Sequence, residues 1–219
     1  MSLSVLSQII AFLVALTVHE FSHAFMANKL GDPTAKYSGR LSLNPIRHID
    51  LLGTVLLPLV LLISRSPFVF GWAKPVPVNT YNLRGKYGEL WVSLAGPAAN
   101  FLTAAIIAMF LRFAPPAMIA SWTTDFYNLF IFILWTNVII GVFNLIPIPP
   151  LDGSKIILSL LPPAYNHVRD FITQYGILFL MAFILFGSRL LLLAAFLVLR
   201  LLGYSGDEIM DIIRVVSSR

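Results

Sequence analysis

The chain has 219 residues, of which 58% are hydrophobic and only 11% charged, less than half the charged share of an ordinary soluble domain. A water-soluble fold of this size cannot hide so much apolar side chain, so lipid must solvate much of it. The net charge of +5 comes from bases dispersed between apolar stretches with no aromatic interleaving, which points to membrane topology and away from nucleic acid, while the absence of cysteine excludes disulfides, thiolate metal sites and a cysteine nucleophile.

The first apolar stretch runs over about residues 3–30 and stops at Gly31-Asp32-Pro33. Met1 to Val18 carries no charged side chain, so it lacks the basic segment of a cleavable signal and reads as a retained span. A polar, basic loop follows at 34–50. The next apolar run, 51–63, contains Pro58 and is only 13 residues long, too short to cross a bilayer comfortably. Residues 64–88 place Pro67, Gly71, Pro75 and Pro77 among Phe68, Val69, Phe70, Val76 and Val78, a pattern for extended or hairpin backbone. Two long spans, 89–113 and 125–146, are joined by a Pro115-Pro116 turn, and Pro147, Pro149 and Pro150 break the second. A short amphipathic piece at 152–161 precedes an apolar region at 171–202 and a polar tail at 203–219. Arg189 lies mid-way along that region: either Gly187-Ser188-Arg189 splits it in two, or Arg189 faces a protein partner. The tail has no assigned side. The predicted fold is an all-α polytopic membrane protein, a helical transmembrane bundle with a short membrane-associated extended or re-entrant segment. It is one domain over 1–219, with its catalytic core at about 3–161.

His19-Glu20-Phe21-Ser22-His23 has the form H-E-x-x-H inside the first helix. At 3.6 residues per turn, His19 and His23 share one face with Cβ atoms about 6 Å apart. Two imidazoles so placed bind one Zn²⁺ at about 2.0–2.1 Å. Glu20 lies about 100° round the helix, within reach of a water on the metal without being a ligand, and suits the work of a general acid/base. A charged group at the bilayer centre costs roughly 2.5–3.5 kcal/mol on insertion scales, and the chain has only four His and three Glu. Three of these seven fall within five residues, which favours chemistry over packing.

A catalytic zinc normally takes three protein ligands. The candidates for the third are His48, His167, Asp32, Asp50, Asp125, Asp152 and Glu89. Asp152 stands out because it follows a proline-broken helix at Asn144-Leu145-Ile146-Pro147-Ile148-Pro149-Pro150-Leu151-Asp152-Gly153, and broken backbone at membrane depth is tolerated only where it is buried or lines a wet cavity. The plainer alternative is a solvated Asp in an interfacial turn. His48 and Asp50 read more simply as a solvated loop pair than as a support or gate for the site.

Together these two segments resemble the site-2 protease family, the M50 class of intramembrane metalloproteases. Its pattern H-E-x-x-H-x-x-x-A is met by His19, Glu20, His23 and Ala27, and its pattern N-x-x-P-x-P-x-x-D-G by Asn144, Pro147, Pro149, Asp152 and Gly153. Gly39-Arg40 to Asn44-Pro45, Phe70-Gly71-Trp72-Ala73-Lys74-Pro75-Val76 and Ala95-Gly96-Pro97 to Asn100 also look like short bacterial members. The loop between the core spans has no room for the PDZ domain that many relatives carry.

The resemblance implies one zinc per chain, held by His19, His23 and Asp152, with Glu20 as catalytic acid/base. Asn144 is expected to donate a hydrogen bond to the substrate or the oxyanion. The implied activity is hydrolysis of peptide bonds in or near transmembrane helices of membrane-protein substrates, in a bacterial cell membrane. The rival reading is a membrane metal-binding or transport protein using the same histidine pair.

If Asp152 is to share a depth with the histidines, the spans 3–30 and 125–146 must end on the same face. The 51–63 run must then dip in and return. Residues 29–86 carry eight bases against Asp32 and Asp50, whereas Met1 to Thr17 and Ala114 to Thr123 have no charged side chain. The positive-inside bias puts the catalytic end towards the cytoplasm. The extended stretch around 68–78 is either an edge for an unwound substrate strand or an interfacial anchor through Trp72.

Overall fold

A computed structural model of the chain describes residues 3–64 and 71–217. Helix α1 (Leu3–Lys29) ends where Gly31 takes φ 104°, a left-handed conformation that costs glycine little. The Asp32 amide then donates back to the Ala27 carbonyl at 2.9 Å. Asp32 itself is fully buried and accepts from the Thr34 hydroxyl at 2.5 Å and amide at 3.1 Å. It also takes the Asn79 amide at 2.7 Å and the Asn82 side chain at 3.1 Å. One carboxylate thus ties the end of α1 to residues fifty positions further on.

The basic loop holds a short helix α2 (Thr34–Tyr37) and a 3₁₀ turn at Pro45–His48. Asp50 then caps a π-helical turn, Leu51–Leu56, by accepting from the Leu52 and Gly53 amides. This turn continues into α3 (Leu57–Ile63). The chain comes back beside its starting point: the Trp72 amide donates to the Gly53 carbonyl at 3.1 Å. The excursion is therefore re-entrant, as the shortness of its apolar run requires. The stretch from Gly71 to Asn79 is extended, and no β-strand occurs among the described residues. Phe68 to Phe70, where the sequence also suggests extended backbone, lie outside them.

Helix α4 (Gly88–Phe113), a short α5 (Pro116–Ala120) and α6 (Thr124–Asn144) follow. Helices α1, α4 and α6 pack on one another as the central bundle, and α7 (Asp152–Leu160) lies against α4. The proline-rich turn closes tightly on α7: a Cβ at Gly153 would stand 2.2 Å from the Leu145 carbonyl oxygen.

The apolar region after it is split, by a break at Gly187, into α8 (Asn166–Phe186) and α9 (Ser188–Leu201). Arg189 sits exposed in the first turn of α9, so of the two sequence readings the break is the one observed. Near its middle, Gly176 of α8 packs on Pro149, and Phe183 meets Phe143 at the end of α6. Beyond α9, the Gly203 carbonyl accepts from Arg112 at the far end of α4. The α8–α9 pair therefore runs from the proline turn to the opposite end of the bundle.

The tail is more than polar chain. It forms α10 (Gly206–Ser217), whose Ile209 and Ile212 are buried with Ala104, Ile131, Leu134 and Leu199. Four helices, Val5–Lys29, Gly88–Phe113, Thr124–Asn144 and Asn166–Phe186, are long and apolar enough to cross a bilayer. The protein is a multi-pass membrane protein.

Candidate metal centre

One helical turn separates His19 from His23 on α1, and both side chains are buried against α4. His19 Nδ1 is 2.7 Å from Asn100 Oδ1. The Asn100 side-chain amide in turn donates to the Ala15 carbonyl and to Asn137 Oδ1, which leaves its oxygen as the acceptor. His23 Nδ1 lies 2.7 Å from the Val92 carbonyl. Each Nδ1 faces an atom that only accepts, so each carries the proton and each Nε2 is left as a bare lone pair. This is how an outer hydrogen bond fixes a ligand tautomer.

The two Nε2 atoms are 3.0 Å apart, and Asp152 Oδ2 stands 3.1 Å from His19 Nε2 and 2.9 Å from His23 Nε2. With both rings neutral, three lone pairs converge, and a cation at their centre satisfies all of them. Donors at about 2.0–2.1 Å from a tetrahedral ion are about 3.3–3.4 Å apart, so the observed spacing needs only a slight opening. Among the described residues these three form the one group of His, Asp or Glu side chains so disposed. The donor set, two neutral nitrogens and a carboxylate, is one zinc accepts in catalytic sites.

The other Asp152 oxygen, Oδ1, faces Lys155 Nζ at 3.4 Å. Asp152 lies in the first turn of α7, where the amide ends favour an anion. Glu20 does not join the three. It lines the same cavity, of ≈ 320 Å³, and its carboxylate accepts from the Val76 amide at 3.0 Å. Asn144 lines that cavity too, with its amide donating to the Ile140 carbonyl at 3.0 Å.

A strap of extended chain crosses beside the site. Its amides at Trp72, Lys74, Val76 and Asn79 are taken by Gly53, His48, Glu20 and Asp32, and prolines at 75 and 77 have none to offer. Among the described residues that leaves the amides of Gly71, Ala73 and Val78 as donors, few for an added substrate strand. The buried Arg40 guanidinium fastens the strap by donating to the carbonyls of Lys74 and Pro75.

The structure does not gather the remaining candidates. Asp32 and Asp50 serve as caps, Asp125 stands at the start of α6 and His167 is exposed. Glu89 lines the cavity without joining the cluster. The solvated-pair reading of His48 is corrected, since it is 2% exposed. Its Nε2 pairs with the Ser42 carbonyl at 2.7 Å and its own carbonyl takes the Lys74 amide. It shores up the strap.

Comparison with known proteins agrees with this geometry. The profile described as Peptidase family M50 matches residues 114–184, which include Asn144 and Asp152. YwhC of Bacillus subtilis, a protein bearing a zinc metalloprotease name, is 39% identical over 182 residues, 80% of this chain and 79% of its own. The chain belongs to peptidase family M50.

Rip2 of Mycolicibacterium smegmatis, named likewise, is 33% identical over 78% of this chain and 63% of its own length, so the chain spans less than two thirds of it. The zinc metalloprotease MJ0392 of Methanocaldococcus jannaschii is 22% identical over 74% of this chain and 36% of its own. No solved structure matches. As an M50 member the chain is a zinc metalloprotease, and the His19–His23–Asp152 cluster is the place among the described residues that suits its metal.

Asn100 closes the Ala95-Gly96-Pro97 to Asn100 segment, where the sequence pattern alone gives it no task. An Asn in the middle of an apolar span is a signal in itself, because an unpaired amide is costly in lipid.

Proposed function

We propose that this M50 metalloprotease hydrolyses peptide bonds in or near the transmembrane helices of membrane-protein substrates. The observation that carries the proposal is the convergence of His19, His23, Asp152 and Glu20 on one cavity inside a bundle of membrane-spanning helices. His19, His23 and Asp152 hold the zinc. When bound, zinc polarises the scissile carbonyl and lowers the pKa of a coordinated water to about 7.

Glu20 is the general acid/base. It takes a proton from the attacking water as the C–O bond forms, then delivers it to the departing amine nitrogen as the C–N bond breaks. The Val76 amide holds the carboxylate in the cavity for that task. Asn144, at the cavity wall, turns its amide from the Ile140 carbonyl towards the substrate or the oxyanion. A helical peptide bond is already hydrogen-bonded within its own helix, so the substrate helix must open locally to present its backbone.

The catalytic end faces the cytoplasm. The loop from 29 to 86 carries eight Lys and Arg side chains, whereas the opposite end has Arg112, Arg200 and Arg214. A reporter fused at Ala117 should therefore lie outside the cytoplasm, and a cytoplasmic signal would reverse the orientation.

Glu20→Gln tests the chemistry. The variant should retain one zinc and lose about 10²- to 10⁴-fold in cleavage of a single-span substrate. Full turnover in the variant would overturn Glu20 as the general acid/base.

A further inference from the structure

A second cavity, of ≈ 450 Å³, lies at the catalytic end and shares no lining residue with the first. Its wall carries Arg40, Arg47 and Lys74 with Ser38 and Asn44, and includes no carboxylate. The acids nearest in sequence are committed elsewhere: Asp32 to Thr34, Asn79 and Asn82, and Asp50 to the Leu52 and Gly53 amides. Neither Arg47 nor Lys74 forms an ion pair among the described residues.

Arg40 supplies the second observation. It is 7% exposed, and while its terminal nitrogens donate to the Arg47, Lys74 and Pro75 carbonyls, its buried Nε–H finds no acceptor among the described residues. A buried donor of this kind normally has a partner. Three positive charges line one concavity, and one of them, Arg40, also keeps an unpartnered buried donor; such a wall calls for an anion with several acceptor oxygens.

The rim indicates which anion. Ile46, in the cavity wall, is 73% exposed and Leu43 beside it 62%. A soluble anion gains nothing from such a rim, whereas a phospholipid lays its acyl chains along it. Basic pockets next to membrane spans are suited to anionic headgroups. We propose that this cavity binds the phosphate of an anionic phospholipid from the leaflet at the catalytic end. Bound there, the headgroup bridges Arg47 of the first loop and Lys74 of the strap. The strap is the segment whose Val76 amide holds Glu20.

The test uses the full chain as Glu20→Gln, loaded with zinc, in phosphatidylcholine vesicles, with fluorescent phosphatidylglycerol as the probe. Binding is read directly, so the result does not depend on whether the protein cleaves anything. Arg47→Gln and Lys74→Gln alter exposed side chains and should each weaken retention of the probe about fivefold, and about thirtyfold together. Lys86→Gln, at the same end but outside the cavity, should change it less than about twofold. Phosphatidylglycerol should also slow amide exchange at Val76 in the parent and not in the double variant.

Equal loss with Lys86→Gln would reduce the effect to diffuse surface attraction and overturn the site. Full competition by inorganic phosphate at matched concentration would overturn the lipid assignment in favour of a soluble anion.

Discussion

A methyl group added at position 96 would stand 2.4 Å from His23 Nε2 and 2.6 Å from His19 Cε1. Ordinary contact begins at 3.4 Å, so the helices must part, or the imidazoles move, by about 1 Å, an overpacking that costs roughly 1–3 kcal/mol. The imidazoles have little freedom, because their Nδ1 atoms are bonded at 2.7 Å to Asn100 and to the Val92 carbonyl of the same helix that carries the new methyl. In a helix interior Gly→Ala is otherwise favourable by about 0.5–1 kcal/mol, so a net loss reports the clash. Gly96→Ala should still fold, bind zinc about 10- to 100-fold more weakly, and cleave about 100-fold more slowly even when saturated with zinc, since a displacement near 1 Å has that effect on a reacting geometry. Zinc affinity is measured by competition with a chromophoric chelator in detergent, with thermal unfolding of the metal-free protein in parallel. Wild-type affinity together with wild-type turnover would refute the claim that the bare backbone of α4 sets the ligand spacing.

Asn100→Ala removes the acceptor for His19 Nδ1 and the amide that donates to the Ala15 carbonyl and to Asn137 Oδ1. Zinc affinity should fall about 10- to 100-fold, measured by the same competition, while Asn100→Asp, which keeps an acceptor oxygen, should recover part of it. A pH dependence follows from Asp32. Burial alone would raise its carboxyl pKa, but hydrogen bonds from Thr34, the Asn79 amide and Asn82 outweigh burial and hold it below the usual carboxylate value. A depressed folded pKa means the stabilisation is complete above the unfolded value of about 3.9 and is lost as pH falls through the folded one. Protection of the Asn79 amide, its exchange rate relative to that of an unstructured chain at the same pH, should therefore be full at neutral pH and fall below about pH 4, and Asp32→Asn should flatten that acid response.

The zinc-binding pattern was legible because it is local: H-E-x-x-H sets two side chains on one turn whatever surrounds it, and a proline-broken span ending in Asp-Gly announces irregular backbone at depth. The span limits were legible for the same reason, since apolar length is counted along the chain. Asn100, Gly96 and the Val92 carbonyl were not, because their tasks exist only once α4 lies against α1. His48 misled because a histidine in a basic loop looks solvated until Ser42 and the strap close over it. The tail misled by composition: its acids and bases conceal Ile209 and Ile212, three residues apart and sufficient to seat α10 on the bundle. The Gly187 break was one of two readings, and the exposed Arg189 is consistent with it.

The proposed ligands on α1 and α7 are 129 and 133 positions apart, and this separation has an order of events built into it. During synthesis the histidines are made and inserted long before Asp152 exists, so the early chain carries an incomplete nest of two nitrogens through the bilayer. Asn100 and Val92 arrive on the next crossing helix and occupy the far sides of both rings first. The proposed three-ligand set is complete only once the turn after α6 has been made and α7 lies against α4.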